Sequence, residues 1–192
     1  MKHLHFFFIL FTLSTLPAFP QITLEDTTVD TSIVITGLDI PWEIQWGPDD
    51  HIWTTERFGR VSRINPETGE QTVILDISAQ VTQSGESGLL GMVLHPDFEE
   101  SPYVYLAYTY TDGPDILEKI VRYEYTGTIL YNEFILLDNI RGSHNHDGCR
   151  LIISSDYKLF ITTGDALVQN ASQNINDLSG KVLRINLDGT IP

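Results

Sequence analysis

An all-β fold of the β-propeller type, built from repeated units of about four short strands, is what this sequence predicts. Three observations carry the expectation. From residue 32 onward the chain is filled with short runs rich in β-branched and aromatic residues, each cut off by Gly, Pro, Asn or Asp, which is the strand signature. No window carries an apolar period of 3.6 residues sustained over a helical length. The runs also repeat: Gly47-Pro48-Asp49 leads to Trp53, His95-Pro96-Asp97 to Tyr105 and Ser154-Ser155-Asp156 to Phe160, with the aromatic positions 52 and 55 residues apart. A second register agrees, running through Val61-Ser62-Arg63-Ile64, Val121-Arg122-Tyr123 and Val182-Leu183-Arg184-Ile185. A period of roughly 50 to 60 residues with about four strands per unit is that of a propeller blade.

In chain order, Met1-Lys2-His3 and the apolar run Leu4–Leu13 are followed by Leu16-Pro17-Ala18-Phe19-Pro20. A basic start, a short apolar core and a turn-forming end are the layout of a secretory signal peptide, and the apolar run is short for a membrane span. Residues 1–20 are therefore expected to be a signal peptide, and the mature protein to be exported, periplasmic or secreted, with no membrane span. Residues 21–31 are polar and acidic and read as a leader. Strands are expected over Ser32–Thr36, Trp42–Trp46, Ile52–Thr55, Val61–Ile64, Thr72–Leu75, Tyr103–Tyr110, Ile120–Tyr125, Phe134–Leu137, Arg150–Ile153, Lys158–Thr163 and Val182–Ile185. These amount to about three blades, a partial propeller over residues 32–192. Propeller rings close with roughly four to eight blades, so the chain is expected to be part of a longer protein.

The formal net charge of −15 speaks against nucleic acid as a partner, because the phosphate backbone would repel such a surface. Cys149 is the one cysteine, so no intrachain disulfide forms; without an activating arrangement it reads as an inert, partly buried thiol.

Two short segments concentrate chemistry. Gly142-Ser143-His144-Asn145-His146-Asp147-Gly148-Cys149-Arg150 holds two histidines and an aspartate just before a strand. His146 stands out, because an imidazole titrates near neutral pH and can take a proton from an alcohol as it is oxidised. Asn145 and Asp147 flank it and could orient the ring or bind hydroxyls, while a His144–His146 metal pair is the competing reading and weak on its own. The second segment, Gly85-Glu86-Ser87-Gly88-Leu89-Leu90-Gly91, reads as a loop anchored in the core by its leucines. Its Glu86 could hold a sugar or cofactor hydroxyl or act as an acid. His95 reads as part of a turn, and Asp165 in Thr163-Gly164-Asp165-Ala166 as a cap for backbone amides.

Gly85–Gly91, His95-Pro96-Asp97-Phe98, Asn145-His146 with Arg150-Leu151, Thr163-Gly164-Asp165, Gly180–Asn186 and Asp188-Gly189-Thr190-Ile191-Pro192 follow one another in an order that resembles the glucose/sorbosone dehydrogenase family. The resemblance runs from about Gly37 to Pro192. It implies a soluble, six-bladed quinoprotein that oxidises aldose sugars to lactones, with pyrroloquinoline quinone and calcium as cofactors and an external electron acceptor. It implies that His146 is the general base, and that Glu86 and Asn145 contact quinone or substrate. Asn145 stands where the family often has aspartate, and Cys149 where it has a small residue. Most of the family's quinone and calcium contacts fall beyond Pro192, so this chain alone is expected not to turn over sugar. The alternative is a propeller that keeps the scaffold as a binding module.

Overall fold

The computed structural model describes residues 22–24 and 26–192. The chain divides into two units, residues 1–33 and 34–192. In the first, β1 (Ile22–Leu24) and β2 (Thr27–Val29) form an antiparallel pair. The segment read as a signal peptide lies outside the described residues.

The second unit is all-β, with three antiparallel sheets and no α-helix among the described residues. The first sheet runs β3 (Pro41–Trp46), β4 (Ile52–Glu56), β5 (Arg60–Ile64) and β6 (Gln71–Asp76) in sequence order. The second runs β7 (Leu89–Leu94), β8 (Tyr103–Asp112), β9 (Asp115–Tyr125) and β10 (Leu130–Arg141), and the third β11 (Gly148–Ile153), β12 (Lys158–Thr163) and β13 (Val182–Asn186). Each sheet is an up-and-down meander, the arrangement short antiparallel connections favour.

The sequence repeat has a structural meaning. Trp53, Tyr105 and Phe160 all sit on the second strand of their sheets, and the turns before them join first strand to second. In the first sheet the turn residue Asp49 accepts hydrogen bonds from the Trp53 indole at 2.9 Å and from Arg63 Nε at 2.6 Å, so one carboxylate ties the turn to strands two and three. In the third sheet the Asp156 carboxylate ties the turn to the third strand alone, accepting from Arg184 at 3.0 Å.

Two apolar layers hold the sheets together. One, centred on Trp53, Val61, Leu89, Met92, Leu106 and Val121, lies between the first and second sheets. The other, with Leu90, Tyr105, Ala107, Ile120, Leu151, Leu159 and Ile161, lies between the second and third. The second sheet is therefore buried on both faces, which explains the near-continuous apolar runs of β7 and β8.

Strand β7 was not expected. Its three glycine neighbours in sequence suggested a loop, and burial on both faces removes the alternation that would have marked a strand. Leu89 and Leu90 are nonetheless fully buried, as anticipated for core anchors. Conversely, Ser32–Thr36 is not a strand. It has the composition, but no neighbouring segment supplies a ladder, and strand propensity alone does not make one.

Strand β7 packs between β3 and β11. From β11, Arg150 reaches the buried carboxylate of Glu43 on β3. Removing one partner of such a pair strands the other as an uncompensated buried charge. Arg150→Met is accordingly expected to cost about 2–3 kcal/mol in chemical denaturation, and Glu43→Gln combined with it to recover part of that loss.

Candidate active site

The sheets place their connections so that the segment before β7, the segment before β11 and the segment after β12 lie together at one end. Glu86 donates its backbone N–H to the carbonyl of His144 at 2.7 Å, and its carboxylate accepts the backbone N–H of His146 at 2.9 Å. The two segments singled out in the sequence are thus neighbours, joined by a reciprocal pair of hydrogen bonds. Gly85 has φ +58°, and a Cβ there would stand 2.2 Å from the His144 carbonyl oxygen, so only glycine lets the loops approach this closely.

The His146 backbone is left-handed, φ 63°. Its carbonyl accepts the N–H of Ala166 at 3.1 Å, and the N–H of Gly164 donates to the Asp147 carbonyl at 2.7 Å. A Cβ on Gly164 would fall 1.6 Å from the His146 carbonyl oxygen. The glycine of Thr163-Gly164-Asp165 is what lets the turn after β12 press against the histidine loop.

That contact brings the third group. Asp165 Oδ1 lies 2.9 Å from His146 Nδ1 and also accepts the N–H of Leu167 at 3.0 Å. The expectation that Asp165 caps backbone amides holds, but it does more: it is the carboxylate that orients the imidazole. With Nδ1–H donated to Asp165, the lone pair of His146 is on Nε2, and the side chain is 56% exposed.

Asp147 does not flank the ring as one reading of the sequence had it. It points inward, 2% exposed, where Oδ1 accepts the Ser143 N–H at 2.6 Å and Oδ2 has no partner among the described residues. Beneath it on β9 lies Glu118, fully buried with both carboxylate oxygens unpartnered. Burial pushes the Asp147 carboxyl up to about 6, with the Glu86 charge adding to the shift and the Ser143 N–H opposing it. Burial, reinforced by the charge of Asp147, also raises Glu118 well above the usual carboxylate range.

Because the folded-state value of Asp147 lies above its ordinary 3.8, its contribution to stability is fully present below pH 3.8 and is lost as pH rises through about 6. Asp147→Asn keeps an acceptor for Ser143 and removes this penalty. The variant is expected to gain roughly 2–3 kcal/mol over the parent at pH 8 and nothing at pH 4, measured as the difference between denaturation curves at the two pH values.

Cys149 is buried in the second apolar layer, and desolvation together with the Glu118 charge raises its thiol well above the ordinary value. This is the inert thiol expected from the sequence. His95 lies at the opposite end of the second sheet, stacked on Tyr105 with ring centroids 6.5 Å apart. Among the described residues no three His, Cys, Asp or Glu side chains converge as metal ligands, so the His144–His146 pair gains no third partner.

Arg57, which the sequence did not mark, adjoins this end of the molecule. Its carbonyl accepts the N–H of Leu89 at 2.7 Å, next to the Glu86 loop. Its Nε is buried without a partner, and it is the one arginine among the described residues whose side chain makes no hydrogen bond, ion pair or ring contact.

Residues 38–192 match the family described as Glucose / Sorbosone dehydrogenase. Quinoprotein glucose dehydrogenase B of Acinetobacter calcoaceticus is 32% identical over 218 residues, covering 94% of this chain and 45% of that protein. The aldose sugar dehydrogenase of Escherichia coli K12 is 27% identical, covering 86% of this chain and 46% of its own length. Among solved structures, the PQQ-bound form of an aldose sugar dehydrogenase from Streptomyces coelicolor superposes with a TM-score of 0.73 at 31% identity, over 81% of this chain and 47% of that one. This chain spans about half the length of the curated relatives it matches. On a family match over most of its length, the chain belongs to the glucose/sorbosone dehydrogenase family.

Proposed function

We propose that this chain forms part of an exported, quinone-dependent aldose dehydrogenase that oxidises the anomeric carbon of a sugar to a lactone. The observation that carries the reading is the His146–Asp165 pair at 2.9 Å, braced against Glu86 in a chain of this family. His146 Nε2 takes the proton of the anomeric hydroxyl while hydride leaves C1. Asp165 holds the tautomer that leaves Nε2 unprotonated and stabilises the imidazolium that forms. Glu86 has one carboxylate oxygen committed to the His146 amide; the other has no partner among the described residues and is available to a sugar or cofactor hydroxyl. Asn145, beside the base, offers an amide for the same purpose.

Pyrroloquinoline quinone, when bound, would supply the two-electron acceptor for the hydride, with an external electron acceptor as the final oxidant. The residues present fit such a group: an arginine with a buried, orphaned Nε beside the Glu86 loop suits an anionic ligand carrying carboxylates. Glu86, Asn145 and Arg57 are the residues of this chain that would hold it. Among the described residues no three His, Cys, Asp or Glu side chains converge on a metal position, and no step is assigned to calcium.

For the scaffold, the reading is a six-bladed propeller of which residues 32–192 are a part. The repeated meander supports it, and so do the open apolar faces of the two outer sheets. Ile44 and Val182 are 69% and 70% exposed, whereas the middle sheet is covered on both sides. Export rests on the N-terminal apolar run. No helix among the described residues is long and apolar enough to cross a membrane.

The test is reconstitution of the full-length protein with pyrroloquinoline quinone and calcium, followed by aldose-dependent reduction of an artificial electron acceptor. Turnover with at least one aldose is expected, and none from residues 1–192 alone. A loaded full-length protein that binds sugars but oxidises none would instead be the binding module.

A further inference from the structure

Two buried carboxyls lie inward of the candidate base and take no part in the reaction proposed for it. Glu118 stands within β9, flanked in the sheet by Thr109 of β8 and Ile140 of β10, neither of which titrates. It is wholly buried, and both its oxygens are without a hydrogen-bond partner among the described residues. Asp147, in the histidine loop, is 2% exposed and leaves Oδ2 equally unpartnered. The groups that act on the two come from three places. Glu118 faces Asp147 and the Cys149 thiol of β11, while Asp147 faces Glu86 from the loop before β7 and His144 and His146 from its own loop. Among the described residues no lysine or arginine pairs with either carboxyl.

Two carboxyls in a water-excluded site, with no cation paired to them, resist ionising together, because like charges repel and neither is solvated. One proton retained by the pair leaves it a single negative charge. Burial and the Asp147 charge raise Glu118 well above the ordinary carboxylate range, whereas Asp147 is raised to about 6. At neutral pH the proton is therefore on Glu118 and the charge on Asp147. The loop uses that charge: Asp147 Oδ1 accepts the Ser143 N–H at 2.6 Å, closing the turn that carries His146 at φ 63°. A non-glycine residue stays in that region only while its surroundings hold it there. The start of the turn packs directly on β9, where a Cβ on Gly142 would stand 3.2 Å from both Asp147 Oδ1 and the Ile116 carbonyl oxygen. Ionising Glu118 would set two like charges under this turn. Glu118 is fixed inside a sheet and Asp147 is on a loop, so Asp147 is the one that yields.

We propose that Glu118 is a positioning residue: the proton it retains keeps Asp147 seated beneath the base loop, and losing that proton at alkaline pH releases Asp147 and loosens the loop that carries His146. The inference rests on the proposed function for its effect on turnover but not for its effect on the loop. A general base gives a pH profile its acidic limb, so an alkaline limb that responds to Glu118 has a separate origin. Glu118→Gln keeps a neutral side chain of the same shape and removes the titration. Asp147→Asn removes the repulsion from the other side and keeps an acceptor for the Ser143 N–H.

Amide hydrogen exchange of the full-length protein reads the loop without turnover. Corrected for the intrinsic rise of exchange with pH, exchange at residues 143–147 is expected to quicken about tenfold or more between about pH 6 and 9.5 in the wild type, and to stay within about twofold in both variants. In the quinone-loaded enzyme, Glu118→Gln should leave kcat at neutral pH within about twofold and move the alkaline limb up by about one pH unit or more. A merely structural Glu118 would shift neither the limb nor the pH dependence of exchange. No quickening in the wild type, or equal quickening in the wild type and both variants, overturns the proposal. If no aldose is oxidised but exchange follows the expected pattern, the carboxyl pair stands and the proposed reaction falls.

Discussion

Replacing His146 with asparagine in the full-length, quinone-loaded protein is expected to lower kcat for aldose oxidation by about a thousandfold, within the range a positioned general base contributes. Asparagine is the informative replacement for a conformational reason. His146 sits at φ 63°, and asparagine tolerates the left-handed region better than alanine does. The backbone N–H at this position would still bond the Glu86 carboxylate, and the carbonyl would still accept the Ala166 N–H. The loop should persist, the melting temperature should move little, and quinone binding, followed by its absorbance, should be retained. What is lost is the ring nitrogen proposed to accept the proton. A loss confined to kcat, with sugar binding kept, separates removal of the base from collapse of the site.

Asp165→Asn is the second large effect, and its direction comes from hydrogen-bond polarity. The side-chain oxygen of asparagine can go on accepting the Leu167 N–H that Asp165 Oδ1 accepts at 3.0 Å. That leaves the amide NH₂ facing His146 Nδ1. An NH₂ donates, so Nδ1 must accept, and the proton moves to Nε2, the atom that has to be free. A carboxylate-to-amide change of this kind in a histidine pair costs catalysis by imposing the wrong tautomer. For this half-exposed pair the expected loss in kcat is roughly a hundredfold, with stability changed little because the turn keeps its cap. The pH profile is a second readout: a merely structural role for Asp165 would leave its acidic limb in place, whereas loss of the orienting charge shifts it. Asp165→Ala, which loses both the cap and the orientation, should lower stability as well as kcat.

Much of this molecule could be read from the chain itself. Ten of the eleven expected strands lie within observed ones, because they alternate or carry β-branched and aromatic runs between turn residues. The repeat by itself places Trp53, Tyr105 and Phe160 on equivalent strands. Three strands were missed: β1 and β2, which fall in the segment read as a leader, and β7, which is buried on both faces and beside glycines, where neither alternation nor turn spacing gives a signal. The false one, Ser32–Thr36, had the right side chains and no partner strand.

The site was legible in part. His146 and Glu86 are singled out by their residue types and loop positions, and the structure joins them through the His146 backbone. Asp165 was seen only as a cap, since its pairing with a ring 19 residues earlier depends on Gly164 allowing the two loops to touch. Glu118 left no trace, because a glutamate within a strand normally reads as a solvated position and its burial follows from the third sheet packing over it. Arg57 was missed for the opposite reason: what marks it is the absence of a partner, and a sequence does not show which charges find partners.

The central claim is that the His146–Asp165 pair performs the proton transfer of an aldose oxidation. Its most direct measurement is steady-state oxidation of glucose and maltose by wild-type and His146→Asn full-length protein, each loaded with quinone to the same measured occupancy and calcium-replete. Turnover by the wild type and a loss of about a thousandfold in kcat for the variant is the predicted result. Equal rates for the two proteins, or a fully loaded wild type that oxidises no aldose, would contradict it.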